Sequence, residues 1–239
     1  MASMTLEELT SQLQKAYGDA LRAVVLYGSA ASGEHVAKHS DYNVLVVVER
    51  LDAEALRNAS ATTRAWSEAG NPPPLTMTTA EWRGSSDIFP MEYSDILERH
   101  RVLFGTPPFD GIRVDLADLR LQVEHEAMGK LLRLRQAILA AGNDQRRQLD
   151  VLEQSLSTFM VIFRGVERLN DARPPVGYEE LADQVGKRVG FDASPFVRVA
   201  RHLRQQDRLA PADAPGVLPG YLAGARTLVS YLDHFPTAR

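Results

Sequence analysis

The sequence contains no cysteine, which excludes a disulfide framework, a thiolate metal centre and a cysteine nucleophile. It also lacks an excess of positive charge. Lys and Arg number 27 against 31 Asp and Glu, for a net charge of -4 and a pI near 5.9. A chain of that balance has no global attraction for a polyanion, and this argues against a nucleic-acid partner. No apolar run approaches the ~20 residues that would cross a bilayer. The segment from Met1 to Thr10 does not follow the basic-then-apolar order of a secretory leader. The expectation is therefore a soluble, cytoplasmic protein without a membrane partner. No repeat at a fixed period is present.

What is present is an ordinary globular composition, 44% hydrophobic and 24% charged over 239 residues, long enough for two domains. Leu6, Leu9, Leu13 and Tyr17 recur at helical spacing between a capping Thr5 and a terminating Gly18. Leu21 to Tyr27 is a short apolar strand that runs into a tight turn at Gly28-Ser29, and Val44 to Val48 is a second, β-branched strand. Leu51 to Gly70 has helical character and Asn71-Pro72-Pro73-Pro74 ends it. Leu75 to Thr78 and Phe89 to Ile96 are predicted as the third and fourth strands.

Beyond Gly105-Thr106-Pro107-Pro108 the strand signal stops. Leu116, Leu119, Val123, Ala127, Leu131, Leu134 and Ile138 then step down one helix face, and Gln145 to Leu169 repeats the pattern. Shorter helices are expected at Tyr178 to Val189, Ser194 to Gln206 and Val217 to Phe235. The predicted architecture is α+β: a mixed sheet flanked by helices over residues 1–110, followed by an all-α bundle over 111–239.

The chemistry is concentrated in Leu26-Tyr27-Gly28-Ser29-Ala30-Ala31-Ser32-Gly33 and, after a polar loop, Ser40-Asp41-Tyr42-Asn43-Val44-Leu45-Val46. A strand that ends in Gly-Ser brings backbone N–H groups and a hydroxyl to one point, which suits the phosphates of a nucleotide. Residues 41 and 43 share a strand face, so Asp41 and Asn43 present two oxygen ligands suited to Mg²⁺.

This pattern resembles the nucleotidyltransferase superfamily of polymerase β and the antibiotic nucleotidyltransferases: Gly-Ser, a spacer of about ten to thirteen residues, then Asp-x-Asp on a strand. The resemblance covers roughly residues 20–110. It implies that Gly28, Ser29 and Ser40 receive a nucleoside triphosphate and that Asp41, Asn43 and a third carboxylate hold Mg²⁺. Glu92, on the predicted fourth strand, takes the third position, with Asp95 as the replacement. Asp41 and Glu92 would be the catalytic pair, Glu92 as general base for an acceptor hydroxyl on a small molecule or protein. The segment Arg99 to Gly105 has the form of the hydrophobic-Gly close that follows in the smaller bacterial members.

Two positions depart from the pattern. Asn43 stands where Asp is usual, removing one negative charge, and Ser32 stands where Arg is frequent. Either the site uses one well-held metal with help from the substrate, or it binds a nucleotide without turning it over, as a silent, antitoxin-like regulatory module would. In the helical half, Lys130 is kept as a phosphate contact, while the surrounding Arg133, Arg135, Arg146 and Arg147 read as a solvated face. A homodimer is compatible with the sequence.

Overall fold

A Thr-x-x-Glu box opens the first helix. The Thr5 hydroxyl accepts from the Glu8 N–H at 3.2 Å, and the Glu8 carboxylate accepts from the Thr5 N–H at 2.8 Å, so two of the donors that a helix start leaves unsatisfied are paired. Helix α1 (Leu6–Tyr17) follows, buries Leu9, Leu13 and Tyr17, and ends at Gly18 with φ 53°. The computed structural model describes residues 4–28, 30–31 and 42–236. The chain divides into two compact units, Met1–Val114 and Asp115–Arg239.

The first unit is built on a four-stranded sheet of order β3-β2-β1-β4. Its strands are β1 (Leu21–Tyr27), β2 (Asn43–Val48), β3 (Leu75–Thr78) and β4 (His100–Gly105). β1 is antiparallel to both β2 and β4, whereas β2 and β3 are parallel, so the sheet is mixed as the sequence predicts. The central strands are covered on both faces, which is why Val24 to Leu26 and Val44 to Val48 are apolar without alternation. On one face Val24, Leu26, Val44, Val46 and Val48 pack with Leu9 and Leu13 of α1 and with Ala59 and Trp66 of α2 (Ala53–Glu68). On the other, Ala23, Val25, Leu45 and Val47 pack with Trp82 of α3 (Thr79–Gly84) and with Tyr93 and Ile96 of α4 (Pro90–Glu98).

Helix α4 corrects the sequence reading, which has Phe89 to Ile96 as a strand. Pro90 occupies the first turn of the helix, where its fixed φ fits and its missing N–H costs nothing. The buried residues Pro90, Met91, Tyr93, Ser94 and Ile96 follow helical rather than alternating spacing. The fourth strand is instead His100–Gly105, paired with β1 at the sheet edge. It ends at Gly105, whose φ of 72° and backbone contact with Arg22 leave no room for a Cβ.

In the second unit the described residues contain helices and no strand, as expected from the loss of β-branched runs after Gly105. They are α5 (Leu116–Ala141), α6 (Gln145–Leu169), α7 (Tyr178–Val189), α8 (Ser194–Leu203) and α9 (Ala214–Asp233). Asp115 and Asp144 cap the two long helices by accepting from N–H groups of their first turns. Gly165 lets α6 approach α5 closely, since a Cβ there would fall 2.5 Å from a methyl group of Val123. Around α6, Phe159, Phe163, Phe196 and Tyr221 form the aromatic centre, with Phe196 stacked on Tyr221 at 4.0 Å between ring centroids. The carboxylate of Glu167 is fully buried and is held by Arg188 through two bonds of 3.0 and 3.1 Å.

Candidate functional site

The candidate site grows from the ends of β1 and β2. Tyr27 and Asn43 are register partners across these strands, and Tyr27 packs on the sheet face that carries Val25, Leu45 and Val47. Asn43 has the parity of Leu45 and Val47, so its side chain belongs to that face as well. At the next residue the chain turns. Gly28 adopts φ +79°, and a Cβ on it would lie 3.3 Å from the Asn43 side-chain nitrogen. Its N–H donates to the Arg99 carbonyl at 3.3 Å, and its carbonyl accepts from the Ala31 N–H at 3.1 Å. The approach to β2 is fixed by Asn71, whose side-chain oxygen accepts from the Tyr42 N–H at 3.3 Å.

The same face receives α4. Its seat is Trp82, fully buried and stacked on Tyr93 with ring centroids 4.1 Å apart. The Tyr93 hydroxyl donates to the Trp82 carbonyl at 2.6 Å, and the Trp82 indole N–H donates to the Pro108 carbonyl at 3.0 Å. These bonds satisfy the polar ends of two buried aromatics, and they fix the rotation of α4. Glu92 and Asp95 lie one turn apart on this helix, and their charges act on Tyr27. Burial first, and then the charges of Glu92 and Asp95, push the Tyr27 phenol up to about 12.

Asn43 is thus the register partner of Tyr27 and the charges of Glu92 and Asp95 reach its phenol, while Ser29, Ser40 and Asp41 lie outside the described residues. Glu92, itself exposed, is carried by a helix and not by a strand. Lys130 belongs to the second unit, where its ammonium pairs with Glu126 at 3.5 Å. Among the described residues no group of three His, Asp or Glu side chains gathers as a metal centre. Tyr27 itself is the residue that the sequence reading passed over. Its signal is parity, because it stands two positions after Val25 and directly before Gly28.

Two measurements test this geometry. Glu92→Gln should lower the Tyr27 pKa from about 12 toward the ordinary value of 10.0, read from tyrosinate absorbance as the difference between each protein and its Tyr27→Phe counterpart. An unchanged titration would place Glu92 away from Tyr27. The sign for stability follows. The folded value is raised, so the contribution is intact below pH 10 and is lost as the pH climbs toward 12, at a slope of at most ~1.4 kcal/mol per pH unit for this phenol. Separately, Gly28→Ala should cost about 1–2 kcal/mol in a urea melt, because an L-residue is strained at this φ and its methyl group would press on Asn43.

No family profile matches the chain, and no curated protein sequence does. Among solved structures it is similar to the spectinomycin adenyltransferase AAD(9) from Enterococcus faecialis, solved with ATP and spectinomycin, with a TM-score of 0.59 at 10% sequence identity. The likeness covers 92% of this chain and 96% of that one. It runs through both the sheet unit and the helical unit, and at this identity it establishes the fold: nucleotidyltransferase-like, α+β, with a C-terminal helical region.

Proposed function

We propose that this chain binds a nucleoside triphosphate with Mg²⁺ at the ends of β1 and β2 and transfers a nucleotidyl group to a hydroxyl of a small molecule or a protein. The observation that carries the reading is the Gly28 turn, left-handed and closed against Asn43, in a fold shared along nearly its whole length with an adenyltransferase. A turn without a side chain lets phosphate oxygens come close to the backbone.

The donor set fits Mg²⁺ in a particular way. This ion is commonly held by one or two protein carboxylates with phosphate oxygens completing the shell, so a three-carboxylate cluster is not required. Asp41 would supply the charged ligand and Asn43 a neutral carbonyl. When bound, the ion would neutralise charge on the phosphates. The remaining work falls to the chain's own residues. Glu92, exposed on α4 near Tyr27, would take the proton from the acceptor hydroxyl as its oxygen forms a bond to the α-phosphorus. The bond to the β-phosphate oxygen breaks and pyrophosphate leaves. Tyr27 stays protonated throughout the neutral range and can donate a hydrogen bond to a carboxylate beside it.

A second reading, nucleotide binding without turnover, draws on Asn43 and on the helical seat of Glu92, which removes the strand geometry from the proposed base. Pyrophosphate release separates the two. Each nucleoside triphosphate is incubated with Mg²⁺ and a panel of polyhydroxylated amines and alcohols. Release that EDTA abolishes supports transfer. Binding with no release for any acceptor supports the silent module, and absence of binding contradicts both.

A further inference from the structure

Helix α5 is apolar on two sides. Leu119, Val123, Ala127, Leu131 and Leu134 are buried within the second unit. On the opposite side Leu121, Met128, Leu132 and Leu139 remain 60, 44, 48 and 82% exposed. With 3.6 residues per turn and 1.5 Å rise, these four fall within an arc of about 40° along about 27 Å of helix. Apolar residues scattered singly over a surface need no explanation, but four exposed apolar side chains aligned along one helix face mark it as an interaction face.

We propose that this stripe is the seam of a homodimer in which α5 packs antiparallel on α5 of a second copy, across a two-fold axis at position 130. The spacing of the stripe is its own mirror image. Leu121 and Leu139 stand equally far on either side of position 130, and so do Met128 and Leu132. A two-fold antiparallel pairing therefore sets Leu121 on the partner's Leu139 and Met128 on the partner's Leu132, the self-complementary contact that an isologous interface requires. The charges agree. Glu124 and Arg135 lie on the same flank of the stripe, and in this pairing each flank meets its own reverse. Glu124 then comes opposite the partner's Arg135 on both sides of the axis, while His125 on the other flank meets the partner's Gln136. A parallel pairing gives Glu124 no such cation. This inference is independent of the nucleotide reading, since it uses only residues of the second unit.

Sedimentation equilibrium of the full chain across the micromolar range tests it. The wild type should show a monomer–dimer equilibrium. Leu132→Glu should raise Kd on the order of a hundredfold, because two copies of the charge enter one apolar seam. Glu124→Arg and Arg135→Glu should each weaken the dimer, and the double variant should recover most of the loss. Glu124 also pairs with Arg120 at 2.9 Å within the helix, so a thermal melt is run beside each variant to confirm that it is folded. A chain monomeric throughout, a dimer indifferent to Leu132→Glu, or a double variant no tighter than the singles would each overturn the proposal.

Discussion

Asp41→Ala is expected to abolish Mg²⁺-dependent nucleotide binding, and Asn43→Asp to tighten it. In the proposed site Asp41 is the charged ligand beside Asn43, so its loss leaves the cation held by one neutral carbonyl and by the phosphates alone. An affinity loss of more than about a hundredfold follows from removing the strongest electrostatic contact in a partly desolvated site. Asn43→Ala removes only the carbonyl and should cost several-fold. Asn43→Asp adds a charge where it can meet the cation. The Coulomb gain, reduced by desolvation, corresponds to about a tenfold tightening. The same variant carries a second signature. It brings a carboxylate to the sheet face that Glu92 and Asp95 already approach, so without Mg²⁺ it should melt earlier than wild type and should raise the Tyr27 pKa further. Calorimetric titration of Mg²⁺-nucleotide into the four proteins checks the affinities, and equal binding in all four would remove the metal role from both residues.

The largest effect on stability is expected at Arg188. Its guanidinium donates twice to Glu167, whose side chain is 0% exposed while that of Arg188 is 33% exposed. Arg188→Ala would leave a carboxylate buried in the bundle without its counter-charge. Breaking a fully buried pair costs roughly 3–5 kcal/mol. With one partner a third exposed, about 2–4 kcal/mol is expected, because water can reach part of the site. Arg188→Lys should recover only part of this, since a lysine cannot reproduce the two parallel bonds. Urea denaturation followed by far-ultraviolet circular dichroism measures the difference, and a cost below ~1 kcal/mol would show that Glu167 finds another partner or takes up a proton.

Much of this fold could be read in the residues. β1 and β3 occupy the spans that their apolar runs and turn signals indicate, and α7 begins and ends where Gly177 and Gly190 put it. The signals there are local and agree with the packing. Phe89 to Ile96 shows the opposite case. Its Phe, Met and Tyr alternate with Pro, Glu and Ser, which imitates a strand, and the decisive signal was Pro90 at a helix start. What alternation concealed was a helix seated on Trp82 and Tyr93, residues brought together by the sheet and not by neighbourhood in sequence. The candidate site was legible to a similar degree. Gly28 and Asn43 follow from the motif, whereas Tyr27 becomes visible only when β1, β2 and α4 converge on one face. The exposed stripe of α5 was hidden by the strength of its buried one, because a helix with apolar residues on two sides shows weak amphipathicity.

The central claim is that the ends of β1 and β2 hold a metal-bound nucleotide. The most direct measurement is a crystal structure of the protein with Mn²⁺ and a nucleoside triphosphate analogue that cannot be cleaved between its α- and β-phosphates, with the metal located by anomalous scattering. The account predicts a Mn²⁺ peak between the side chains of Asp41 and Asn43, phosphate oxygens against the Gly28 turn, and the Glu92 carboxylate facing the α-phosphate. A nucleotide bound elsewhere on the chain, or a metal that makes no contact with Asp41, would contradict it.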